Sequence, residues 1–266
     1  MQPIVSGVDG THPDELVPGT RFRVRWLTET ASTNSDLAEA AAQGEVEGLV
    51  IAADHQTAGR GRLGRTWTAP PGSALLTSFL LRPPLESVHL GVTAVGLAAL
   101  AACERAAGVK AALKWPNDLV VSTGGSWRKL AGVLAEATTD GHRVTGVVVG
   151  LGLNVRRAPD FPEELAEIAT SLDVLGAPGV DRHDLLVTIC EELEQRVQAM
   201  NDGHAGVMAE YRRRCVTIGQ NVRVVQPART WEGRAVGVTD AGALQVRSGA
   251  VTRTVEAGDV VHLRPA

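Results

Sequence analysis

The sequence is poor in lysine, cysteine and aromatic residues. Only 3 of its 26 basic residues are lysines, at positions 110, 114 and 129, and aromatic residues make up 3% of the chain. The 3 cysteines are far apart and form no C-x-x-C pair. This usage argues against a disulfide framework or a cysteine-rich zinc site, and it favours a reduced, cytoplasmic chain with buried thiols.

Long apolar runs and a large net charge are also missing. The longest apolar stretch, Leu90–Cys103, has 14 residues, whereas a transmembrane helix needs about 20. Residues 1–19 carry prolines and acids where a signal peptide would have basic and then apolar residues. The net charge of −4 argues against general nucleic-acid binding, although a local arginine cluster could still bind phosphates. We therefore expect neither a membrane nor a DNA partner.

The pattern along the 266 residues indicates an α/β body followed by a small β-barrel, after a flexible tail at residues 1–20. The body spans residues 21–218, and residues 219–266 hold about five short β-runs split by glycine-rich turns. Strands of the body are predicted at 21–26, 49–53, 73–81, 111–115, 119–121, 130–137 and 143–149, and helices at 37–43, 88–107, 181–200 and 205–215.

A glycine- and arginine-rich loop over residues 56–67 is the most informative segment. Gly59, Gly61 and Gly64 form a literal G-x-G-x-x-G after a strand, which alone would indicate a dinucleotide fold. A Rossmann loop must open a helix, but Pro70 and Pro71 follow here, and two prolines prevent a helix. We therefore reject the Rossmann interpretation.

The same loop is better interpreted as an anion cradle. Its glycines allow close backbone approach, while Arg60, Arg62 and Arg65 supply fork-shaped donors for phosphate or carboxylate. Trp67 offers a flat face on which a base could stack. The competing interpretation is a solvated basic loop with Trp67 anchored in the core.

Two further motifs follow along the chain. In Lys114–Asp118, Asn117 and Asp118 could hold Mg²⁺ together with substrate phosphates, or they could simply cap a turn. Lys129 enters a strand three residues before Gly132 and could stabilise a developing negative charge. Its alternative role is that of an edge-strand lysine that discourages aggregation.

Taken in order, these motifs resemble those of the biotin–protein ligase (biotin–[acetyl-CoA-carboxylase] ligase) family: GRGRxGRxW, KWPND, KLAG(V/I)L and a G-x-G-x-N stretch at Gly150–Asn154, preceded by Ser32–Asn34. The resemblance covers Trp26–Asn154 by motif and the barrel by layout. It implies an α/β (α+β) fold: a mixed-sheet catalytic domain of the class II synthetase/biotin–lipoyl ligase type, with flanking helices and a C-terminal SH3-like β-barrel.

The resemblance also implies the chemistry. Members of the family activate biotin with ATP and Mg²⁺ as biotinyl-5′-AMP, releasing diphosphate. They then transfer biotin to one lysine of the biotin carboxyl carrier domain of acyl-CoA or pyruvate carboxylases, releasing AMP. We expect a monofunctional ligase without an N-terminal DNA-binding domain, as a monomer or weak homodimer. The alternatives are a lipoate/octanoate–protein ligase or transferase of the same fold, and a regulator that senses biotinyl-AMP without transferring biotin.

Site residues follow from the resemblance, position by position. The catalytic residues are expected to be Lys129, Arg62 and Asp118. Biotin is expected to contact Ser32, Thr33, Asn34, Gln56, Gly59, Arg60, Gly61, Arg62, Lys129, Gly132, Gly150 and Gly152. ATP or the adenylate is expected to contact Arg60, Arg62, Arg65, Trp67, Asn117, Asp118, Lys129 and Asn154, with Asn117 and Asp118 also holding Mg²⁺. Residues 156–168 match a mobile loop that covers adenine.

Overall fold

A mixed eight-stranded sheet organises the larger part of the chain. The computed structural model describes residues 14–140, 143–158, 163–201, 205–226, 229–256 and 258–263. The strands are β1 (Glu15–Leu16), β2 (Arg23–Thr30), β3 (Leu49–Gln56), β4 (Ala74–Leu81), β5 (Ala112–Lys114), β6 (Asp118–Thr123), β7 (Ser126–Asp140) and β8 (Arg143–Asn154). Their order is β1-β2-β3-β4-β8-β7-β6-β5, with β2 and β3 parallel and the other neighbours antiparallel.

Helices cover both faces of this sheet. They are α1 (Thr33–Ala42), α2 (Gly91–Ala107), α3 (Glu163–Ala166), α4 (Arg182–Asn201) and α5 (Ala205–Arg214). Helix α2 packs against α4 and α5 on one face, whereas Leu37 of α1 packs with Leu49, Ile51 and Leu80 on the other. Strand β4 is apolar on nearly every residue because both of its faces are covered.

The one described segment that is long and apolar enough to cross a membrane is Leu85–Ala107, a 3₁₀ turn continued by α2. Within it, 67% of the most apolar stretch is buried inside the protein. Val95, Leu97 and Leu100 are fully buried and belong to the main core. This segment is therefore the central core helix of the fold, as in a soluble protein.

The C-terminal residues form a five-stranded antiparallel sheet, as the sequence pattern predicts. Its strands are β9 (Asn221–Gln226), β10 (Arg229–Val238), β11 (Leu244–Ser248), β12 (Val251–Val255) and β13 (Asp259–His262), in the order β12-β11-β10-β9-β13. Within the described residues no ladder joins the edge strands β12 and β13. Buried Val222, Val224 and Val246 belong to the same apolar cluster as α2 and α4, so this sheet shares a core with the larger part of the chain.

Several boundaries differ from the prediction. Strand β8 extends to Asn154, beyond the predicted end at residue 149, so it includes the G-x-G-x-N stretch. Residues 118–129 form a hairpin whose turn is made by Gly124 and Gly125, both at positive φ. In the expected tail, residues 1–13 lie outside the described part, whereas β1 pairs with β2 and Val17 is 2% exposed. Residues 15–17 therefore extend the sheet and bury one apolar side chain.

Candidate active site

A cleft of about 350 Å³ lies on the face of the sheet that carries α1, where β3, β4, β6, β7 and β8 come together. Most of the predicted biotin, nucleotide and metal positions line it: Ser32, Thr33, Asn34, Gln56, Arg60, Gly61, Arg62, Arg65, Trp67, Asn117, Asp118, Lys129, Gly132, Gly150 and Gly152. Gly59 lines a second pocket formed largely by the glycine-rich loop itself, and Asn154 lines a separate, smaller pocket. Motifs more than a hundred residues apart in the sequence therefore meet in one cavity.

A buried polar network forms one end of the cleft. Gln56 Oε1 accepts hydrogen bonds from Thr33 N at 2.8 Å and from Thr33 Oγ1 at 3.0 Å. The Ser78 hydroxyl lies 2.7 Å from Thr33 Oγ1 and donates to Asn34 Oδ1 at 2.6 Å. Ser32 occupies the N-cap of α1 without a side-chain capping bond. The hydroxyl of Ser32, 4% exposed, thus faces the site without capping the helix.

Sequence reasoning missed Ser78. Its only signal was a hydroxyl residue within an apolar strand, ALLTSFLL. Buried hydroxyls require hydrogen-bond partners, so such a residue marks the place where a polar network crosses the sheet.

Three glycines make room for side chains of the site. A Cβ at Gly150 would lie 2.3 Å from Asn34 Oδ1, and one at Gly152 would lie 2.5 Å from the Trp67 ring. A Cβ at Gly132 would lie 2.9 Å from Lys129 Nζ. All three distances are too short for real contacts, so the absence of side chains on β7 and β8 creates the space occupied by polar and aromatic groups.

The glycine-rich loop folds back on itself and opens no α-helix, which confirms the rejection of the Rossmann interpretation. Gly61 N donates to Arg65 O at 2.7 Å, and Trp67 N donates to Gly59 O at 3.0 Å. A single 3₁₀ turn at Arg62–Gly64 forms its tip. A Cβ at Gly59 would lie 2.4 Å from Trp67 O, so this glycine allows the loop to close.

The arginines of the loop have different partners. Arg60 donates to Glu136 Oε2 at 2.9 Å and to Ser35 Oγ at 3.0 Å. Glu136 also accepts from Asn34 Nδ2 at 2.7 Å. The guanidinium of Arg60 therefore fastens the loop to α1 and β7. Sequence reasoning did not single out Glu136, a carboxylate that follows the KLAGVL motif on β7.

Arg62 instead joins the loop to the opposite wall of the cleft. Its guanidinium donates to Asn117 Oδ1 at 3.4 Å and to the carbonyl of Gly258, immediately before β13, at 3.5 Å. Both bonds are long, so they leave donor capacity for an anion.

Lys129 and Asp118 form an ion pair in the cleft, with Nζ and Oδ1 2.7 Å apart. The ammonium also lies 5.4 Å from the centre of the Trp67 ring, within the range of a cation–π contact. Strand β7 is flanked by β6 and β8, so Lys129 does not lie on an edge strand. The interpretation as a lysine that protects an edge is wrong.

Backbone bonds fix Lys129 from a second side. Its N–H donates to Ile168 O, and its carbonyl accepts from Thr170 N, both at 2.8 Å. This contact involves the end of the segment expected to cover adenine, of which residues 159–162 lie outside the described part. The end of this segment is therefore hydrogen-bonded directly to the backbone of Lys129.

The Trp67 ring is half-buried, lies against Gly152 and Gly132 within the cleft and also packs on Ala69, Ala74 and Leu76. Its buried indole Nε1 has no partner within the described residues. The ring thus combines the two roles weighed from the sequence, a core anchor and an aromatic wall of the site.

The expected nucleotide residue Asn154 lies at the end of β8 beside the cleft. Its Nδ2 donates to Thr170 O at 3.0 Å, and it borders a pocket of about 30 Å³ with Arg156 and Arg157. It therefore joins β8 to the segment that follows α3.

Asn117 and Asp118 offer oxygen ligands, but they do not form a complete metal site. Asn117 Nδ2 donates to Val133 O at 2.6 Å, which leaves its Oδ1 on the side of Arg62. Within the described residues no group of three or more His, Cys, Asp or Glu side chains could hold a metal. One carboxylate and one carboxamide fit a Mg²⁺ ion that arrives with the phosphates of a nucleotide.

The structure adds cleft residues from two sources. Lys114, Trp115 and Pro116 line the cleft beside Asn117, and Val260 and Val261 reach it from the C-terminal sheet. The KWPND motif contained the first three, whereas nothing in the sequence indicated that the two valines belong to the site. The C-terminal sheet therefore forms part of the cleft wall.

The three cysteines do not line the cleft. Burial raises the pKa of Cys103 to about 12 and also raises the pKa of Cys190. All three cysteines are buried and unpaired, as the sequence predicts.

Comparison with known proteins agrees with this geometry. Residues 27–154 match the Biotin/lipoate A/B protein ligase family, and residues 217–263 match the Biotin protein ligase C terminal domain. The biotin--[acetyl-CoA-carboxylase] ligase of Mycobacterium tuberculosis is 41% identical over 90% of this chain and 88% of its own. The bifunctional ligase/repressor BirA of Bacillus subtilis is 32% identical over 86% of this chain and 71% of its own.

A solved structure shows the same fold. The biotin protein ligase from Aquifex aeolicus in complex with biotin and ATP has a TM-score of 0.76 and 26% identity, covering 91% of this chain and 99% of that one. The fold and the site together define a ligase of the biotin/lipoate class. The match to the C-terminal domain and the 41% identity to the Mycobacterium tuberculosis ligase narrow this class further. The chain belongs to the biotin protein ligase family and is an enzyme of that family.

Proposed function

We propose that this protein is an ATP-dependent biotin–protein ligase that forms biotinyl-5′-AMP and transfers biotin to a lysine of a carrier domain. The carrier belongs to a biotin-dependent carboxylase, such as an acyl-CoA or pyruvate carboxylase, in the cytoplasm. The observation that carries the proposal is a single cleft with Lys129, Arg62, Asp118 and Trp67 at one end and the buried Thr33–Gln56 network at the other.

The two ends of the cleft suit the two parts of biotin. The network of Thr33, Gln56 and Ser78 presents neutral donors and acceptors in a buried setting, suited to the uncharged ureido group. The cationic end, with Lys129 and Arg62, suits the carboxylate. A ligand that spans both ends carries its reactive group to the lysine.

The first half-reaction brings two anions together. A biotin carboxylate oxygen attacks the α-phosphorus of ATP, the bond to the β-phosphate oxygen breaks, and diphosphate leaves with the electron pair. Lys129 and Arg62 offset the repulsion between carboxylate and phosphate, and they stabilise the charge that develops on the α-phosphate oxygens. Because Lys129 must stay charged for this, it acts as an electrostatic catalyst and not as a nucleophile.

Mg²⁺ enters as part of the nucleotide substrate. Asp118 and the Asn117 carboxamide would supply protein oxygens beside the phosphates, and the ion would neutralise phosphate charge there. When the ion is bound, the carboxylate of Asp118 would have two cationic partners, the metal and Lys129.

The second half-reaction releases AMP. The neutral ε-amine of the acceptor lysine attacks the acyl carbon, the bond to the phosphate oxygen breaks, and the amine loses one proton. We propose that Asp118 accepts this proton, because its carboxylate lines the cleft and lies beside Lys129. The cation of Lys129 stabilises the departing phosphate.

The test is biotin-dependent exchange of labelled diphosphate into ATP by the purified protein. We expect exchange with biotin and none without it. Lipoate and octanoate, tested in parallel, should not support exchange. Exchange with lipoate in place of biotin, or none with either acid, would refute the proposed specificity. Transfer of labelled biotin to a carrier domain separates a ligase from a protein that only senses the adenylate.

A further inference from the structure

Trp115 lies at the junction between the catalytic sheet and the C-terminal sheet, immediately before Pro116, Asn117 and Asp118. Its side chain is 3% exposed. The backbone N–H donates to Thr217 Oγ1 at 3.0 Å, and the indole N–H donates to Gly242 O at 2.9 Å. Both acceptors lie outside the catalytic sheet, and Gly242 belongs to the turn between β10 and β11.

Thr217 continues this chain of hydrogen bonds. It is fully buried, and its Oγ1 lies 3.0 Å from His262 Nε2 on β13. Because the hydroxyl already accepts from Trp115, its own hydrogen is available for His262. Burial and the charge of Lys114 lower the pKa of His262 to about 4, so the imidazole is neutral and can accept.

Backbone bonds and the cleft wall support the same junction. Val216 N donates to Leu113 O at 2.8 Å, which ties β5 to the segment that leads into the C-terminal sheet. On the other side of the cleft, Arg62 reaches Gly258 O, and Val260 lines the cavity. The loop that carries Asn117 and Asp118 is therefore held from the C-terminal side.

We propose that Trp115 and Thr217 are positioning residues through which the C-terminal sheet sets the place of Asp118 relative to Lys129. The inference rests on the proposed function. It predicts that loss of either hydrogen bond slows adenylation without weakening biotin binding, because the Thr33–Gln56 end of the cleft has its own partners. A misplacement of about 1 Å can cost up to about a hundredfold in rate.

The experiment compares variants that remove a single group. Thr217→Val removes the hydroxyl and keeps the shape, Thr217→Ser keeps the hydroxyl, and Trp115→Phe removes the indole N–H. Thr138→Val is the matched control, because it removes the contact of Thr138 Oγ1 with Thr145 Oγ1 at 3.2 Å in the β7–β8 ladder, between residues that do not line the cleft. The measurements are kcat and KM for biotin-dependent diphosphate exchange, the biotin Kd from calorimetry, and the melting temperature.

We expect Thr217→Val and Trp115→Phe to lower kcat about tenfold or more with the biotin Kd within about twofold of wild type. Thr217→Ser should retain kcat within about twofold, and Thr138→Val should change the melting temperature only. If Thr217→Val does not fold, Trp115→Phe decides the question.

Two results would overturn the inference: wild-type kcat in a folded Thr217→Val or Trp115→Phe variant, or equal losses of kcat in Thr217→Val and Thr138→Val. These differ from a failure of the proposed function, in which the wild-type protein itself shows no biotin-dependent exchange.

Discussion

At the scale of single residues, Lys129 is the centre of the proposed chemistry. Its ammonium is held between a carboxylate at 2.7 Å and the Trp67 ring, while its backbone N–H and C=O both bond to the segment after α3. The position that a Cβ on Gly132 would take is 2.9 Å from Nζ. This tight packing suits a compact ammonium and leaves little room for a larger planar group.

Replacement of Lys129 should therefore abolish most activity. We expect Lys129→Ala to lower the rate of diphosphate exchange by about 10²–10³, the scale of one lost donor to a developing oxyanion. Lys129→Arg should not rescue the rate. Lys110→Ala, at an exposed position after α2, is the control and should leave kcat unchanged. Near-normal turnover by Lys129→Ala would reduce this lysine to a structural residue.

Asp118 has two proposed roles, which can be distinguished by measuring adenylation and transfer separately in one variant. Asp118→Asn removes both the partner of Lys129 and the proposed proton acceptor, so transfer to the carrier domain should slow more than adenylation does. The acidic limb of the pH–rate profile for transfer should also change, because it reports the protonation of an essential base. The measurement is single-turnover transfer from preformed biotinyl-5′-AMP across pH. An unaltered profile in the variant would dismiss Asp118 as the base.

At the scale of elements, the site depends on where strands lack side chains. Strands β7 and β8 pair with Gly132 opposite Gly152, and this glycine pair lies beneath Trp67. A strand of ordinary residues at these two positions would fill the space taken by the ring. The glycines predicted as ligand contacts thus act first by shaping the cleft.

Gly152→Ala should expel the Trp67 ring, because the added methyl group would lie 2.5 Å from it. We expect the KM for ATP to rise by about tenfold or more, the size of effect that loss of one aromatic stacking contact produces. Intrinsic tryptophan fluorescence should change as well. Gly206→Ala on α5, where a Cβ would meet nothing within 4 Å, is the control. An unchanged KM and spectrum in Gly152→Ala would contradict the role of the glycine pair.

At the scale of the whole molecule, the C-terminal sheet forms part of the wall of the candidate cleft. It shares an apolar core with the catalytic body, lines the cleft through Val260 and Val261, and reaches Trp115 by hydrogen bonds. The sequence layout predicted a separate small barrel, whereas the structure joins the two parts through one core. Removal of the sheet would therefore expose core as well as open the site.

The burial of His262 at the junction between the two sheets makes the stability of the protein depend on pH below 6.5. The folded state lowers the pKa of His262 from 6.5 to about 4 through burial and the charge of Lys114, so protonation favours the unfolded chain. The stability that depends on neutral His262 is fully present above pH 6.5 and is lost as the pH falls towards 4.

We expect the melting temperature of the wild-type protein to fall more steeply between pH 6.5 and 4 than that of His262→Gln, which keeps an acceptor for Thr217 and cannot be protonated. Protonation of carboxylates that are paired with arginine destabilises both proteins at low pH. The quantity to measure is therefore the difference between their two curves of melting temperature against pH. Parallel curves would contradict the role of His262.

The sequence by itself determined the family and the order of most elements, and it predicted most of the residues that line the cleft. Short motifs such as KWPND and the Gly59–Trp67 loop combine chemistry and local geometry within a few residues, so they can be recognised without a fold. Most strands and helices were also predicted, because the spacing of apolar residues along the chain reflects burial on one or both faces of an element.

Tertiary structure alone decided the partners of those motifs. The carboxylate that holds Arg60 lies 76 residues away at Glu136, and the hydroxyl that holds Trp115 lies 102 residues away at Thr217. No local spacing records such pairs, because they depend on which strands become neighbours in the sheet and which core the C-terminal strands share. The chemical groups of the site are thus encoded locally, whereas their positions are set by contacts between segments distant in the sequence.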